Sequence, residues 1–176
     1  MAAKVLFLIV EGDDDDERFM ENVVKPILLK SYADVKIWQY AQQKHERTVN
    51  LINSARKIGD YLYFHDFDNA PCITARRNEL VKTLRGIEKK KIIVVRNEIE
   101  SWYLAGLDRQ SHRELRIGRY HADTDGVSKE QFNGLIPKKM HRVEFMSLVV
   151  RKYNIGYGRR KNRSFEYFIR KHLDVL

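Results

Sequence analysis

Apolar positions in the first hundred residues fall into short solid runs, separated by longer stretches with helical spacing. Residues 4–10 form a continuous apolar run of strand length, the signature of a strand buried on both faces of a parallel sheet. Residues 16–29 predict a helix opened by acids, as the helix dipole favours, with Pro26 bending or breaking it. Residues 35–40 predict a second strand. Residues 46–57 predict a helix with Val49, Leu51, Ile52 and Ala55 as its apolar positions and Gly59 as its stop. A third strand over 60–65, a helix over 70–85 ended by Gly86, a fourth strand over 91–95 and a helix opening at 98–105 complete the series. This order predicts an α/β fold: a Rossmann-like, mainly parallel four-stranded sheet with helices on both faces. The runs are solid rather than alternating, which argues against an antiparallel sheet.

The pattern changes after residue 106. Residues 107–137 are polar and contain Gly118, Gly126 and Gly134, which predicts a long excursion over the surface. Residues 138–153 predict a helix with Val143, Phe145, Met146, Val149 and Val150 on its apolar face. Residues 156–161 read as a basic turn. Residues 163–173 predict a closing helix with Phe165, Phe168, Ile169 and Leu173 facing inwards. The expected organisation is a core over 1–106, with a C-terminal extension of loop and basic helices over 107–176 packed on the same domain.

Composition narrows the class. The chain has 176 residues and is 43% hydrophobic, enough for one core at this size. Its longest strongly apolar run, residues 5–10, is far too short to span a bilayer. The first residues show no cleavage-site pattern, and the expectation is a cytoplasmic protein without a membrane partner. Cys72 is the only cysteine, so an intrachain disulfide and a thiolate zinc cluster are excluded. Net charge is +9 and uneven: residues 1–100 hold 17 basic and 16 acidic side chains, residues 101–176 hold 16 and 8. A basic end on a nearly neutral body predicts a polyanionic partner, with nucleic acid the commonest.

Ligands of open parallel sheets bind beyond the carboxyl ends of the strands, and here those ends are acidic. Glu11-Gly12 and the aspartates 13–16 follow the first strand, His65-Asp66-Phe67-Asp68 the third, and Glu98-Ile99-Glu100 the fourth. Carboxylates packed together repel one another, and a divalent cation removes the conflict. Hard oxygen ligands suit Mg²⁺ or Mn²⁺. The Asp66-Phe67-Asp68 spacing lets both acids face one site while Phe67 packs away. Gly12 permits a tight turn after Glu11. Single histidines such as His65, His121 and His141 read as structural or surface groups, and Trp102 as a core residue.

Val10-Glu11-Gly12, followed by Asp15 or Asp16 and then Phe19, resembles the first motif of the Toprim family. Tyr63-Phe64-His65-Asp66-Phe67-Asp68 resembles its second. Three later segments are similar to small stand-alone Toprim-like proteins related to the nuclease domain of overcoming-lysogenization-defect nucleases. They are Glu98-Ile99-Glu100-Ser101-Trp102-Tyr103-Leu104, Pro137-Lys138-Lys139, and Asn162-Arg163-Ser164-Phe165 with Phe168. The resemblance implies a Toprim sheet with Mg²⁺ (or Mn²⁺) at this edge. It gives Glu11 acid–base or metal duty and makes Asp66 and Asp68 metal ligands. Glu98, Glu100 and one acid after Gly12, Asp15 or Asp16, are further candidate ligands. No topoisomerase tyrosine domain accompanies the motifs. Haloacid-dehalogenase phosphatases and response-regulator receivers place their acids after different strands.

The leading expectation is metal-dependent cleavage of nucleic-acid phosphodiesters by Glu11, Asp66 and Asp68. Lys138, Lys139, Arg159, Arg160, Lys161 and Arg163 are the candidate grips on the phosphate backbone. Two alternatives stay open: a non-catalytic module that binds metal and nucleic acid, and a nucleotide phosphohydrolase or phosphotransferase. The partner is DNA or RNA, with a homodimer or a protein partner also possible.

Overall fold

The computed structural model describes residues 4–12, 14–68 and 70–173. The chain divides into two compact units, Met1–Val94 and Val95–Leu176.

The first unit is built on four parallel strands: β1 (Val5–Val10), β2 (Asp34–Gln39), β3 (Gly59–Asp66) and β4 (Ile92–Val95), in the order β2-β1-β3-β4. β1 pairs with β2 from Val5 opposite Asp34 to Val10 opposite Gln39. It pairs with β3 from Val5 opposite Gly59 to Ile9 opposite Tyr63. One face of the sheet, with Ile9, Tyr61, Tyr63, Ile92 and Val94, packs on Ile52 and Ala55 of α3 (His45–Ile58) and Leu80 of α4 (Ile73–Thr83). Strand alternation puts Leu6, Leu8, Leu62, Phe64 and Ile93 on the other face, and these are equally buried. Burial on both faces is what the solid apolar runs encode.

Between β1 and β2 the expected single helix is three pieces. α1 (Asp14–Phe19) runs into a π-helical turn over Met20–Val24 and then α2 (Lys25–Leu28). Pro26 has no N–H to give, and the wider turn ahead of it, with the Lys25 N–H on the Met20 carbonyl, carries the helix past it. α3 runs directly into β3 at Gly59, where a side chain would overlap the Val5 carbonyl oxygen of the neighbouring strand.

The second unit is helical. Its centre is α5 (Ile99–Ala105), buried along its whole length. It packs on α7 (Lys129–Asn133), α8 (Arg142–Arg151) and α9 (Ile155–Lys161). α10 (Arg163–His172) packs against α9. Residues 107–137 are more ordered than their polarity suggests. They form α6 (Arg109–Glu114) and α7, and they bury Leu115, Ile117, Val127 and Phe132. Ser128 caps α7 in a reciprocal capping box with Gln131. Residues 155–161, expected as a turn, are helical despite two glycines. Asn154 caps the first turn by accepting the Tyr157 N–H at 3.1 Å. At Gly158 a Cβ would lie 2.5 Å from the Tyr153 hydroxyl, so the glycine permits a close approach that any side chain would block.

The Asn162-Arg163-Ser164-Phe165 segment turns out to be a structural knot. The Asn162 Oδ1 accepts the Phe165 N–H at 3.0 Å, capping α10, and also accepts from the Ser164 hydroxyl at 2.8 Å. The Asn162 amide nitrogen donates to Ser101 and Thr124 hydroxyls. Ser164 Oγ accepts the Trp102 indole N–H at 2.8 Å. Trp102 is fully buried between Phe165 and Phe168. Every polar atom in this apolar setting finds a partner, as burial requires.

Candidate active site

Strand order places the candidate site. From β1 the chain crosses to β2 on one side; from β2 it returns to β3 on the other side of β1. Loops leaving β1 and β3 therefore part company, and the crevice between their carboxyl ends is the topological switch point, where open α/β sheets bind ligands. Glu11 directly follows β1, and Asp66 is the last residue of β3. The sequence puts its acids at the one edge where the fold opens.

Gly12 makes the turn after Glu11. Its φ is +98°, a region that favours glycine, and a Cβ there would lie 2.6 Å from the Gln39 Cβ. Its N–H donates to the Asp16 carboxylate at 2.8 Å. The Glu11 carbonyl accepts from Ala41 N–H at 2.8 Å, so the backbone is held while the side chain points away. Glu11 Oε2 is buried and has no hydrogen-bond partner. The other acid pair departs from simple strand alternation. β3 ends at Asp66, and Asp68 has φ +46°. That left-handed turn, tolerable for aspartate, swings its carboxylate back towards the crevice. Phe67 packs against the apolar cluster beneath, as the spacing predicts.

Two residues join the acids that the motif spacing did not single out as functional. His65 Nδ1 lies 3.6 Å from Glu11 Oε2 and 3.9 Å from Asp68 Oδ2, and bonds the Asp66 carbonyl at 3.0 Å. Arg76, on the first turns of α4, pairs with Asp68 and Glu79, and its Nη2 is 3.4 Å from His65 Nε2. A carbonyl only accepts and a guanidinium only donates. The contact with the Asp66 carbonyl therefore needs a proton on His65 Nδ1. Below them, Tyr40 stacks on Tyr63 at 4.8 Å and donates its hydroxyl to the Phe64 carbonyl. Burial raises the Tyr40 phenol pKa strongly, with Tyr63, Glu11 and Asp66 adding to it. Burial likewise pushes Tyr63 up to about 12. Both phenols stay neutral.

The donor set, all hard oxygens with one buried carboxylate oxygen unpartnered, fits Mg²⁺ or Mn²⁺ in chemistry. It is not drawn up as a finished cluster. Among the described residues, no three His, Cys, Asp or Glu side chains converge closely enough to hold a metal. Asp68 instead takes Arg76 as its cation.

The other predicted site residues have local partners. Asp15 is buried against Arg18 at 2.8 Å, and Asp13 lies outside the described residues. In the second unit, Glu98 Oε2 accepts the Lys129 N–H at 2.6 Å. Glu100 is 1% exposed and held by Arg142 at 2.6 Å and Lys129 at 3.8 Å. Burial raises its carboxyl pKa against the pull of those cations. Among the predicted phosphate grips, Lys138, Lys139, Arg160 and Arg163 are exposed. Arg160 lies over the Tyr157 ring at 4.6 Å. Arg159 pairs with Glu166 at 2.6 Å. Lys161 is buried, with Nζ on the Leu107 carbonyl at 2.7 Å and over the Tyr120 ring. Burial lowers its pKa to about 8. Among the described residues no helix is long and apolar enough to cross a membrane.

No protein-family model matches the chain, and no curated protein matches it. Among solved structures it is similar to the C-terminal region of the Burkholderia pseudomallei OLD protein. Identity is 15%, the match covers 99% of this chain and 97% of that one, and the TM-score is 0.40.

Proposed function

We propose that this protein cleaves nucleic-acid phosphodiesters with Mg²⁺ or Mn²⁺, using the carboxylates at the β1/β3 switch point. The observation that carries this is Glu11: its Oε2 is buried without a hydrogen bond at the fold's ligand-binding edge, 3.6 Å from a His65 Nδ1 that itself lies 3.9 Å from Asp68 Oδ2. Glu11, Asp66 and Asp68 would hold the cation. Such an ion, when bound, withdraws charge from a phosphate oxygen and lowers the pKa of water. The chain's own groups do the rest. Glu11 accepts the proton of the attacking water. His65 keeps an Nδ1 proton on the Asp66 carbonyl and orients that loop. Arg76, once off Asp68, offers a planar donor pair to a phosphate. Exposed Lys138, Lys139, Arg160 and Arg163 would bind backbone phosphates without regard to sequence, in a salt-sensitive way.

A second reading has its own support. Arg76 already neutralises Asp68, as suits a module that binds nucleic acid without cutting it.

The test is cleavage of labelled DNA and RNA with Mg²⁺, Mn²⁺ or chelator, by wild type and by the Asp66→Ala/Asp68→Ala variant. Metal-dependent cutting by wild type alone, with binding kept by the variant, is the expected result. Retention of nucleic acid with no cutting under any condition would overturn the nuclease and leave the module.

A further inference from the structure

The second unit contains a cavity of about 460 Å³, formed within residues that read as polar loop. Its polar lining is mostly donors. Arg119 is exposed and lies at the cavity with no ion pair among the described residues. His121 turns a buried Nε2 that has no hydrogen-bond partner. Gln131 spends its Oε1 on the Ser128 N–H in the capping box, which leaves its amide nitrogen to donate. The one acid is Asp123, whose Oδ1 accepts the Asp125 N–H at 2.8 Å. Val127 and Leu135 supply apolar wall. The local field is positive: burial lowers the His121 pKa, and the charges of Arg119 and Lys161 lower it further.

We propose that this cavity binds a nucleoside monophosphate. Arg119 and Gln131 donate to the phosphate, with the His121 ring beside them, and Val127 and Leu135 pack against the base. Asp123 accepts from a donor on the base edge. The volume argues for more than a bare anion, since cavities of roughly 300–1,000 Å³ suit whole organic ligands. Two donors, one of them a guanidinium, beside an apolar wall match a ligand that is anionic at one end and flat and apolar at the other. This site is separate from the carboxylates of the first unit, and the inference does not rest on the nuclease reading.

Gly126 supplies a clean block. A Cβ built there meets nothing within 4 Å, and its φ is not left-handed. Gly126→Leu therefore adds bulk at the cavity without strain in the fold. The experiment is titration calorimetry of the full chain with the four common ribonucleoside monophosphates, their nucleosides and inorganic phosphate. Wild type, Arg119→Ala, Gly126→Leu and Asp66→Ala/Asp68→Ala are compared, with melting temperatures confirming that each is folded. At least one monophosphate is expected to bind at least about tenfold more tightly than its nucleoside or phosphate alone. Arg119→Ala should weaken it by about tenfold, the scale of one charge-assisted contact. Gly126→Leu should abolish binding, and the double aspartate variant should keep it. Three results would each overturn the assignment. These are no monophosphate binding to wild type, binding that survives both cavity variants, and binding lost in the aspartate variant, which would move the ligand to the strand edge. Equal binding by inorganic phosphate would likewise reject a nucleotide site. None of these outcomes depends on whether the protein cuts nucleic acid.

Discussion

Arg142→Met removes the closest cation from a carboxylate that has almost no contact with water. Glu100 is 1% exposed, with Arg142 at 2.6 Å and Lys129 at 3.8 Å. Methionine keeps an unbranched apolar side chain but removes the guanidinium, which also lies over the Phe132 ring at 5.6 Å, so the change is chiefly one of charge. Breaking a buried ion pair from one side costs about 3–5 kcal/mol. Arg142 keeps 25% of its side-chain exposure and Lys129 remains, which brings the expected loss to roughly 2–4 kcal/mol. The loss should depend on pH. Burial already raises the Glu100 pKa, and Arg142 is one of the groups that oppose the rise. Without it the folded-state pKa climbs further above the unfolded value. Such a carboxyl holds its proton more tightly when folded, so stability falls as pH rises through that window. The penalty should be full near neutrality and shrink as the medium is acidified towards about pH 5. Urea melts of wild type, Arg142→Met, Glu100→Gln and the double variant at both pH values measure it. The double variant should lose less than the sum of the singles, because a neutral amide needs no counter-charge. A penalty below about 0.5 kcal/mol, or one that is the same at both pH values, would refute the account.

Three further predictions follow from other residues. Arg76→Ala frees Asp68 from its internal cation; an exposed pair is worth up to about 1 kcal/mol, so Mn²⁺ affinity by calorimetry should rise about fivefold, and an unchanged or lower affinity would show that Arg76 does not compete with metal. Gly12→Ala forces a side chain into φ +98° and against the Gln39 Cβ, and should cost roughly 1–3 kcal/mol in urea melts; adding Gln39→Ala, which keeps that Cβ, should recover little of the loss. Lys161 has its pKa lowered to about 8 by burial, so between there and its unfolded value the unfolded chain binds more protons and wild type gains stability as pH rises. Against Lys161→Met that gain should reach up to about 3 kcal/mol, and a stability difference flat across alkaline pH would refute it.

The sheet was legible because burial on both faces demands solid apolar runs, and three such runs, at β1, β3 and β4, stand in the first hundred residues, while the edge strand β2 exposes Lys36. The acids at Glu11, Asp66 and Asp68 were legible because a parallel sheet presents its ligands beyond its carboxyl ends, wherever the strands fall. Sequence position put His65 at that edge but gave it no role, and did not show Arg76 there at all. Arg76 arrives from a helix ten residues past Asp66, and only the packing of α4 sets its guanidinium on Asp68. Trp102 was legible as core from its place in an apolar helix. Its partner Ser164, 62 positions away, was not. The order inside residues 107–137 was hidden because each turn there buries only one or two apolar side chains among many polar ones. The glycines at 156 and 158 argued for a turn, since the clash that makes Gly158 necessary in a helix comes from Tyr153 and Phe165. Local pattern fixes which segments are strand or helix and which are acidic or basic, because those depend on neighbours in the chain. Which charges stay free for a ligand depends on neighbours in space. Lys161 and Arg160 are adjacent in sequence, yet one ammonium is buried on a carbonyl and the other cation faces solvent. Only the tertiary structure decides that difference, because the carbonyl that holds Lys161 belongs to Leu107, 54 positions away in the chain.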